Sequence, residues 1–440
     1  MKKLFYLIIL LLVSIACQNK QTDEKQDDDK ATILENFEAN YDESKVPDYE
    51  LPPLLKDENG NIISSSSEWL AKRRPTIYKK FAENVYGQME GKPDTLIIDI
   101  TKEKTDALSG KARLKEVTIY FTSNKDPQYS MDILMYIPKN IEKPSPAFVA
   151  LNFYGNQSIS NDTAITISDA WMRANDDYGI VDNRATENTR GVRKSRWPVE
   201  MIVDAGFSLA TIYCGDLDPD RENWQDGIHP MFYREDQNKP DSSQMATIGA
   251  WAWGLSRAMD YFEKDNDIDE QKIAVMGHSR LGKAALWAGA SDTRFNMIIS
   301  NNSGCGGATI SRRKFGETVW RINNAFPHWF CENFNKYNKN EEALPVDQHM
   351  LIALMAPRPV YVASASEDLW ADPRGEFISA KMAGPVYELF GLSGLGVEDM
   401  PEINNPIQTG AIGYHIREGK HDVTDFDWQQ YINFTQQQFK

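Results

Sequence analysis

The stretch Ile273-Ala274-Val275-Met276-Gly277-His278-Ser279-Arg280-Leu281-Gly282-Lys283, followed by Ala284-Ala285-Leu286-Trp287-Ala288-Gly289-Ala290, constrains this chain more than any other. A short apolar run breaks at a glycine, a serine sits at the break, and an alanine-rich helical pattern follows. That order reads as a strand, a sharp turn and a helix. Glycines on either side of the serine suit a turn too tight for β-carbons. Such a turn raises the Ser279 hydroxyl above the carboxyl edge of a sheet, at the positive end of a helix. The spacing is G-x-S-x-x-G, one residue longer than the G-x-S-x-G of a nucleophile elbow. The plainer reading of the same residues is a serine that caps a helix after a buried strand.

With 440 residues, 41% of them hydrophobic, the chain can bury a large core. Length allows two or three domains and is equally compatible with one elaborated α/β domain. The net charge of −16, from 48 basic and 64 acidic residues, argues against a nucleic-acid partner or an anionic membrane surface. Eleven Trp and eighteen Tyr exceed what such a core needs and fit sugar-facing surfaces, although core packing accounts for most aromatic residues.

Residues 1–16 read as a signal peptide. Lys2 and Lys3 precede an apolar run, Leu4 to Val13, that is too short to span a membrane. Ser14-Ile15-Ala16-Cys17 resembles a bacterial lipobox, after which Cys17 becomes a lipidated N-terminus; an ordinary secretory signal is the alternative. Residues 18–30 contain no apolar side chain, and 17–45 is expected to be a disordered tether. That tether resembles the acidic stretch after the cysteine in surface-exported lipoproteins. The expectation is an outer-membrane or cell-surface lipoprotein of a Gram-negative bacterium, otherwise a periplasmic protein, touching the membrane only through Cys17. Cys214, Cys305 and Cys331 remain, none in C-x-x-C, so there is no zinc pattern; one pair could bridge and leave a third thiol over.

Residues 46–440 are expected to form one catalytic domain. A helical pattern runs from Ser67 to about Met89, and antiparallel-type strands at Leu96–Ile100, Val117–Phe121 and Met131–Ile137 follow. Ala147 to Phe153 is continuously apolar, as befits a strand buried on both faces, and ends in Tyr154-Gly155-Asn156, a loop suited to donating a backbone N–H to an oxyanion. Phe207 to Cys214 is a second core strand; the polar 157–200 segment between them is too long for a plain connection and is expected to roof the site. A helix over Met245–Lys264 and strands at 273–276, 297–300, 359–364 and near 411–416 complete the pattern. Buried runs alternating with helices predict a predominantly parallel central sheet with right-handed crossovers, which with the elbow fits an α/β-hydrolase.

A serine hydroxyl needs a base to take its proton, and the base needs an acid to hold its tautomer. In this architecture the chain order is serine, acid, histidine. His421, in the loop Glu418-Gly419-Lys420-His421-Asp422 after the last strand, is preferred over His415, which lies within that strand. For the acid, Glu367, Asp368 and Asp372 compete after the strand at 360–363. Asp368 is preferred, because Glu367 faces the other way and Asp372 caps a turn before Pro373.

Several separated motifs agree in order. Gly277-His278-Ser279-Arg280-Leu281-Gly282-Lys283, Ser303-Gly304-Cys305-Gly306-Gly307-Ala308, Asp347-Gln348-His349 with Ala356-Pro357-Arg358-Pro359, and Asp368-Leu369-Trp370-Ala371-Asp372-Pro373 resemble bacterial glucuronoyl esterases of carbohydrate esterase family fifteen. The resemblance spans roughly residues 50–440 and implies an α/β-hydrolase fold, a three-layer α/β/α sandwich. It implies cleavage, without metal or other cofactor, of the ester between 4-O-methyl-glucuronoyl groups of glucuronoxylan and lignin alcohols. Ser279 would be the nucleophile, His421 the base, and Arg280 a support for the oxyanion. Lys283 and Glu317 would hold the uronic acid hydroxyls, and Trp370 would lie against the sugar. Many members carry a catalytic glutamate where this chain has Asn302, so the acid must come from Asp368. A monomer is expected. The competing expectations are a carbohydrate acetyl esterase on the same fold and a surface lipoprotein that binds glycans without turnover.

Overall fold

Each of the central strands is apolar at successive positions because both of its faces are covered. In the computed structural model, which describes residues 37–141 and 144–440, Ala147, Val149 and Leu151 enter one core while Phe148 and Ala150 enter another. The same alternation divides Ile273 and Val275 from Ala274 and Met276, and Val360 and Val362 from Tyr361 and Ala363. Side chains alternate across a strand, so a strand with apolar residues at every position belongs between two layers.

Eleven strands are present among the described residues: β1 (Ile97–Ala107), β2 (Ala112–Tyr120), β3 (Ser130–Pro138), β4 (Ser145–Asn152), β5 (Ile180–Val181), β6 (Arg184–Ala185), β7 (Ser208–Tyr213), β8 (Ile268–His278), β9 (Met297–Asn301), β10 (Val360–Ala365) and β11 (Ile412–Arg417). Nine form one sheet in the order β1-β2-β3-β7-β4-β8-β9-β10-β11, and β5 and β6 make a separate hairpin. β1, β2, β3 and β7 pair antiparallel; from β7 onward every pairing is parallel. The edge at β11 is partly covered by residues 404–408, with Ile407 bridging Tyr414 and the Asn404 N–H donating to Ile416. That cover removes a template for strand addition.

The principal helices are α1 (Arg74–Phe81), α2 (Val199–Asp204), α3 (Thr247–Phe262), α4 (Arg280–Ser291), α5 (Val319–Ala325), α6 (Gln348–Ala353), α7 (Pro373–Met382) and α8 (Asp425–Gln438). Residues from α1, α3, α4, α6 and α7 line one core, and those from α2 and α8 line the other. The result is the expected α/β/α sandwich. Every residue of α3 is buried, not only its inward stripe. It can be so because Gly249 and Gly254 let Met245 and Leu217 approach closer than a β-carbon would permit. The first helical stretch runs from Ser66 to Tyr86 with π-type turns on both sides of α1, and stops at Gly87, whose φ of 86° ends it before the expected Met89.

Two expectations change. The signal peptide, Cys17 and residues 17–36 of the tether lie outside the described residues, but residues 37–45 are not free chain. Phe37 packs against Trp320 and Trp370, the Asn40 carbonyl accepts the Gly316 N–H at 2.8 Å, and Glu43 pairs with Arg313 at 2.6 Å. The packed part of the chain therefore begins before residue 46. Cys214, Cys305 and Cys331 are each free and buried, so no pair among them bridges.

Candidate active site

Four adjacent parallel strands deliver the site, each at its carboxyl end. β8 ends at His278, and Ser279 follows with φ 58° and ψ −132° before α4 begins at Arg280. A left-handed serine is strained backbone, and the surroundings hold it: its N–H donates to the Asn301 carbonyl on β9 at 2.9 Å. A β-carbon on Gly277 would fall 2.0 Å from the Leu281 carbonyl oxygen, and one on Gly282 would fall 2.9 Å from the Ser303 β-carbon. The longer G-x-S-x-x-G spacing thus has a structural reason: the second glycine faces the turn after β9. Ser279 is half-buried and remains open on one side.

Asp368 lies beyond β10 and His421 beyond β11. The His421 Nδ1 and an Asp368 carboxylate oxygen are 2.6 Å apart, with Asp368 buried and His421 exposed. With Nδ1 committed there, Nε2 is the nitrogen left for a proton partner. The His421 ring sits 4.6 Å from the ring of His278, the residue immediately before Ser279. Asn302, after β9, donates from Nδ2 to the same Asp368 oxygen at 2.9 Å. The competing acids separate as expected: Glu367 is exposed, while Asp372 caps α7 through the Gly375 N–H and pairs with Arg313. His415 is buried in β11, bonded to Asp427 at 2.9 Å and to the Tyr361 hydroxyl at 3.0 Å, away from this group.

The His278 ring is bonded to Asn301 at 2.6 Å. Burial, then the nearby His421 and Arg196, push its pKa well below the usual imidazole range. It stays neutral beside the His421 imidazole.

Arg280 opens α4. Its Nε pairs with Asp220 at 2.8 Å, and its guanidinium lies 4.5 Å from the Phe153 ring centre and 5.6 Å from that of Trp329. Asp220 also accepts from His328 Nε2 at 2.9 Å and from Trp329 Nε1 at 2.7 Å. Burial raises this carboxyl, but the charges of Arg280 and His328 and the two hydrogen bonds outweigh it and hold Asp220 well below the ordinary carboxylate range. Asp220 is absent from the sequence reading, because nothing in Asp218-Pro219-Asp220 marks it; it sits on an irregular loop after β7, and only the fold brings it to Arg280.

Lys283 is one turn into α4 and buried, its ammonium donating to the Ser303 carbonyl. Burial lowers its pKa, against the opposing pull of Glu317. Glu317 is also buried; burial raises its pKa, while Lys283, Arg321 and the neighbouring Trp370 draw it back. The Glu317 N–H donates to the Trp370 carbonyl at 3.0 Å, which ties the backbones of these two residues together; Trp370 itself is half-buried. The structure therefore gathers Lys283, Glu317 and Trp370 on one side of the elbow. The 153–198 segment brings Arg193 and Arg196 to Asp422, the neighbour of His421. Its Gly155 carbonyl accepts from Ser158, and its Phe153 ring lies against the Arg280 guanidinium. Among the described residues no group of three or more His, Cys, Asp or Glu side chains is placed to hold a metal ion.

A carbohydrate esterase named MZ0003, from an unknown prokaryotic organism, is 50% identical over 396 residues, covering 90% of this chain and 91% of that protein. A promiscuous esterase of carbohydrate esterase family fifteen from a marine bacterial metagenome has 49% identity and a TM-score of 0.85 over 91% of this chain and 99% of its own. The glucuronoyl esterase from Solibacter usitatus has 45% identity and a TM-score of 0.85 over 90% of this chain and 100% of its own. The chain belongs to carbohydrate esterase family fifteen.

A family model for fungal glucuronyl esterase matches residues 230–391, the part that carries α3, the elbow, Asn302, Lys283, Glu317 and Asp368. A 4-O-methyl-glucuronoyl methylesterase of Phanerochaete chrysosporium is 36% identical over 209 residues, 43% of this chain and 42% of that protein. As a family-fifteen member the protein is an esterase, which displaces the expectation of a glycan binder without turnover.

Proposed function

We propose that the protein is a serine esterase that hydrolyses the ester between 4-O-methyl-glucuronoyl groups of glucuronoxylan and lignin alcohols, with Ser279, His421 and Asp368 as its triad. The observation that carries this is the 2.6 Å bond from His421 Nδ1 to Asp368 beside a left-handed serine at a strand-to-helix turn. His421 Nε2 takes the proton from Ser279 Oγ as Oγ attacks the ester carbonyl. The carbonyl oxygen becomes an oxyanion; the alcohol then leaves with the proton from His421, and an acyl-serine remains. Water, losing a proton to His421, attacks that acyl group and releases the uronic acid and the serine. Asp368 stabilises the imidazolium formed in each half, and Asn302 holds the same carboxylate oxygen in place.

Arg280 supports the oxyanion in this reading. Asp220 engages its Nε, which turns the Nη donors into the ones available to a substrate oxygen. A guanidinium fixed by a carboxylate, with rings at 4.5 and 5.6 Å, needs little rearrangement as charge develops. Lys283, Glu317 and Trp370 hold the uronic acid ring. Export fits the same reading: the 1–16 leader and Cys17 support a lipid-anchored protein at the outer membrane or cell surface, acting as a monomer on a polymer outside the cell.

Ser279→Ala decides the matter. Turnover of benzyl glucuronate is expected to fall by about 10⁴-fold or more with the melting temperature unchanged. Retained turnover would end the serine mechanism. Comparison of methyl glucuronate esters with acetylated xylan in one assay tests the substrate, and preference for the acetyl group would end that part of the reading.

A further inference from the structure

Beyond Trp370, the wall of the site continues into rings that the reaction does not use. Phe37 lies 5.8 Å from Trp320 at an interplanar angle of 31° and 6.1 Å from Trp370 at 86°. Phe37 therefore sits at a corner, with Trp320 tilted across one side of it and Trp370 standing edge-on to it. Each is half-buried, so each keeps a water-facing side. Rings placed only to fill a core would be covered, as Trp69, Trp251, Trp253, Trp287 and Trp428 are in this protein.

Three separate chain segments hold the corner. Phe37 comes from the N-terminal arm, Trp320 from the first turn of α5, and Trp370 from the turn after β10. Asn40 bonds Gly316, and a β-carbon on Gly316 would lie 2.5 Å from the Trp370 carbonyl oxygen, so the arm and both turns are in direct backbone contact. The Arg313 side chain bonds Glu43 on the arm and Asp372 beyond Trp370. The Arg321 guanidinium stands 5.9 Å from the Phe37 ring and 5.8 Å from the Trp370 ring, and Lys339 lies 4.5 Å from Trp320. Flat apolar plates edged by charged hydrogen-bond donors match a sugar ring, which presents C–H groups on its faces and hydroxyls around its rim.

We propose that Phe37, Trp320 and Trp370 form a subsite for a neutral sugar of the glycan that carries the glucuronoyl group. The inference rests on the reading of the reaction given above. Its argument is continuity: Lys283, Glu317, Trp370, Phe37 and Trp320 follow one another without a break, so a chain attached to the uronic acid at Glu317 and Trp370 meets the corner next. The arm thereby contributes a ring to the substrate cleft, and Arg321 donates to hydroxyls at its rim.

The test compares two esters, benzyl glucuronate and a methyl glucuronoyl ester carried on a xylo-oligosaccharide, with Phe37→Ala, Trp320→Ala and Phe37→Tyr. For each alanine variant the KM for the oligosaccharide ester is expected to rise by about three- to tenfold at constant kcat. The values on benzyl glucuronate stay within about twofold of wild type, and Phe37→Tyr restores the oligosaccharide KM. Equal losses on both esters would mean that the rings only brace Trp370, and equal retention on both would mean that no sugar reaches them; either result overturns the subsite alone. A wild-type enzyme that cleaved neither ester would bring down the reading of the reaction and this subsite together.

Discussion

Asp368 accepts from two neighbours of different kinds, His421 Nδ1 at 2.6 Å and Asn302 Nδ2 at 2.9 Å. An amide at 302 donates without competing for charge, and the prediction is that a second carboxylate there would not be neutral in effect. In Asn302→Asp two carboxyls share one site, their titrations couple, and one proton is held to higher pH. In the proposed triad Asp368 acts as a carboxylate, so the acidic limb of the pH–rate profile is expected to move to higher pH; an unmoved limb would place the Asn302 bond outside the mechanism. Asp368→Asn removes the charge altogether and should lower kcat by about 10⁴-fold. Glu376 offers a stability test at the same scale. Its buried carboxyl accepts the N–H groups of Ser303 and Gly304 at 2.8 and 3.0 Å and the Ser364 hydroxyl at 2.6 Å. Burial nevertheless raises its pKa to about 8. A carboxyl whose folded pKa is raised above its unfolded value of about 4.3 gives stability that is complete below the unfolded value and is lost as pH rises through the folded one. The melting temperature should therefore decline from about pH 5 to pH 8, and Glu376→Gln, which keeps an oxygen for the two N–H groups, should flatten that decline. An equal decline in both proteins would assign it to other groups.

At the scale of elements, the turn between β8 and α4 is held by close packing. A methyl group on Gly277 has no space beside Leu281, so Gly277→Ala is expected to cost at least the roughly 1–3 kcal/mol typical of an overfilled core, read as a lower melting temperature together with lost turnover. The central strands, this turn and the late loops were legible in the sequence for a physical reason. Strands buried on both faces must be apolar throughout, as at 147–151 and 273–276, and the serine–acid–histidine order then leaves few loops to choose among. His421 and Asp368 could be named because each follows such a strand. Asp220 could not, since it belongs to an irregular loop whose carboxylates look solvated until Arg280, His328 and Trp329 converge on one of them. The arm was misread for a related reason. Residues 37–45 carry only two aromatic side chains, Phe37 and Tyr41, among polar ones, and their partners Trp320, Phe315 and Trp370 are nearly three hundred residues or more away. Local composition measures how a segment meets water, and it is blind to distant surfaces that a segment can cover.

For the whole molecule, three buried free thiols mean that the fold does not draw on disulfide bonds within the described residues. Burial raises the pKa of Cys214 and Cys305 well above the usual thiol range and that of Cys331 to about 11. Thiolates are the reactive form, so a chain starting after Cys17 should label with a thiol reagent only on unfolding, and reductant should leave its melting temperature unchanged. Rapid labelling of the native protein would contradict the packing around these residues. The proposed reacting groups follow the carboxyl ends of strands β8, β10 and β11, with Asn302 supplied from β9 between them, whereas the side chains around them come from the 153–198 segment, the 315–321 turn and the N-terminal arm. Chemistry and selectivity are thus encoded in different parts of the polypeptide. A substitution in those irregular segments is therefore expected to change which esters bind while leaving the strand ends that carry Ser279, Asp368 and His421 in place.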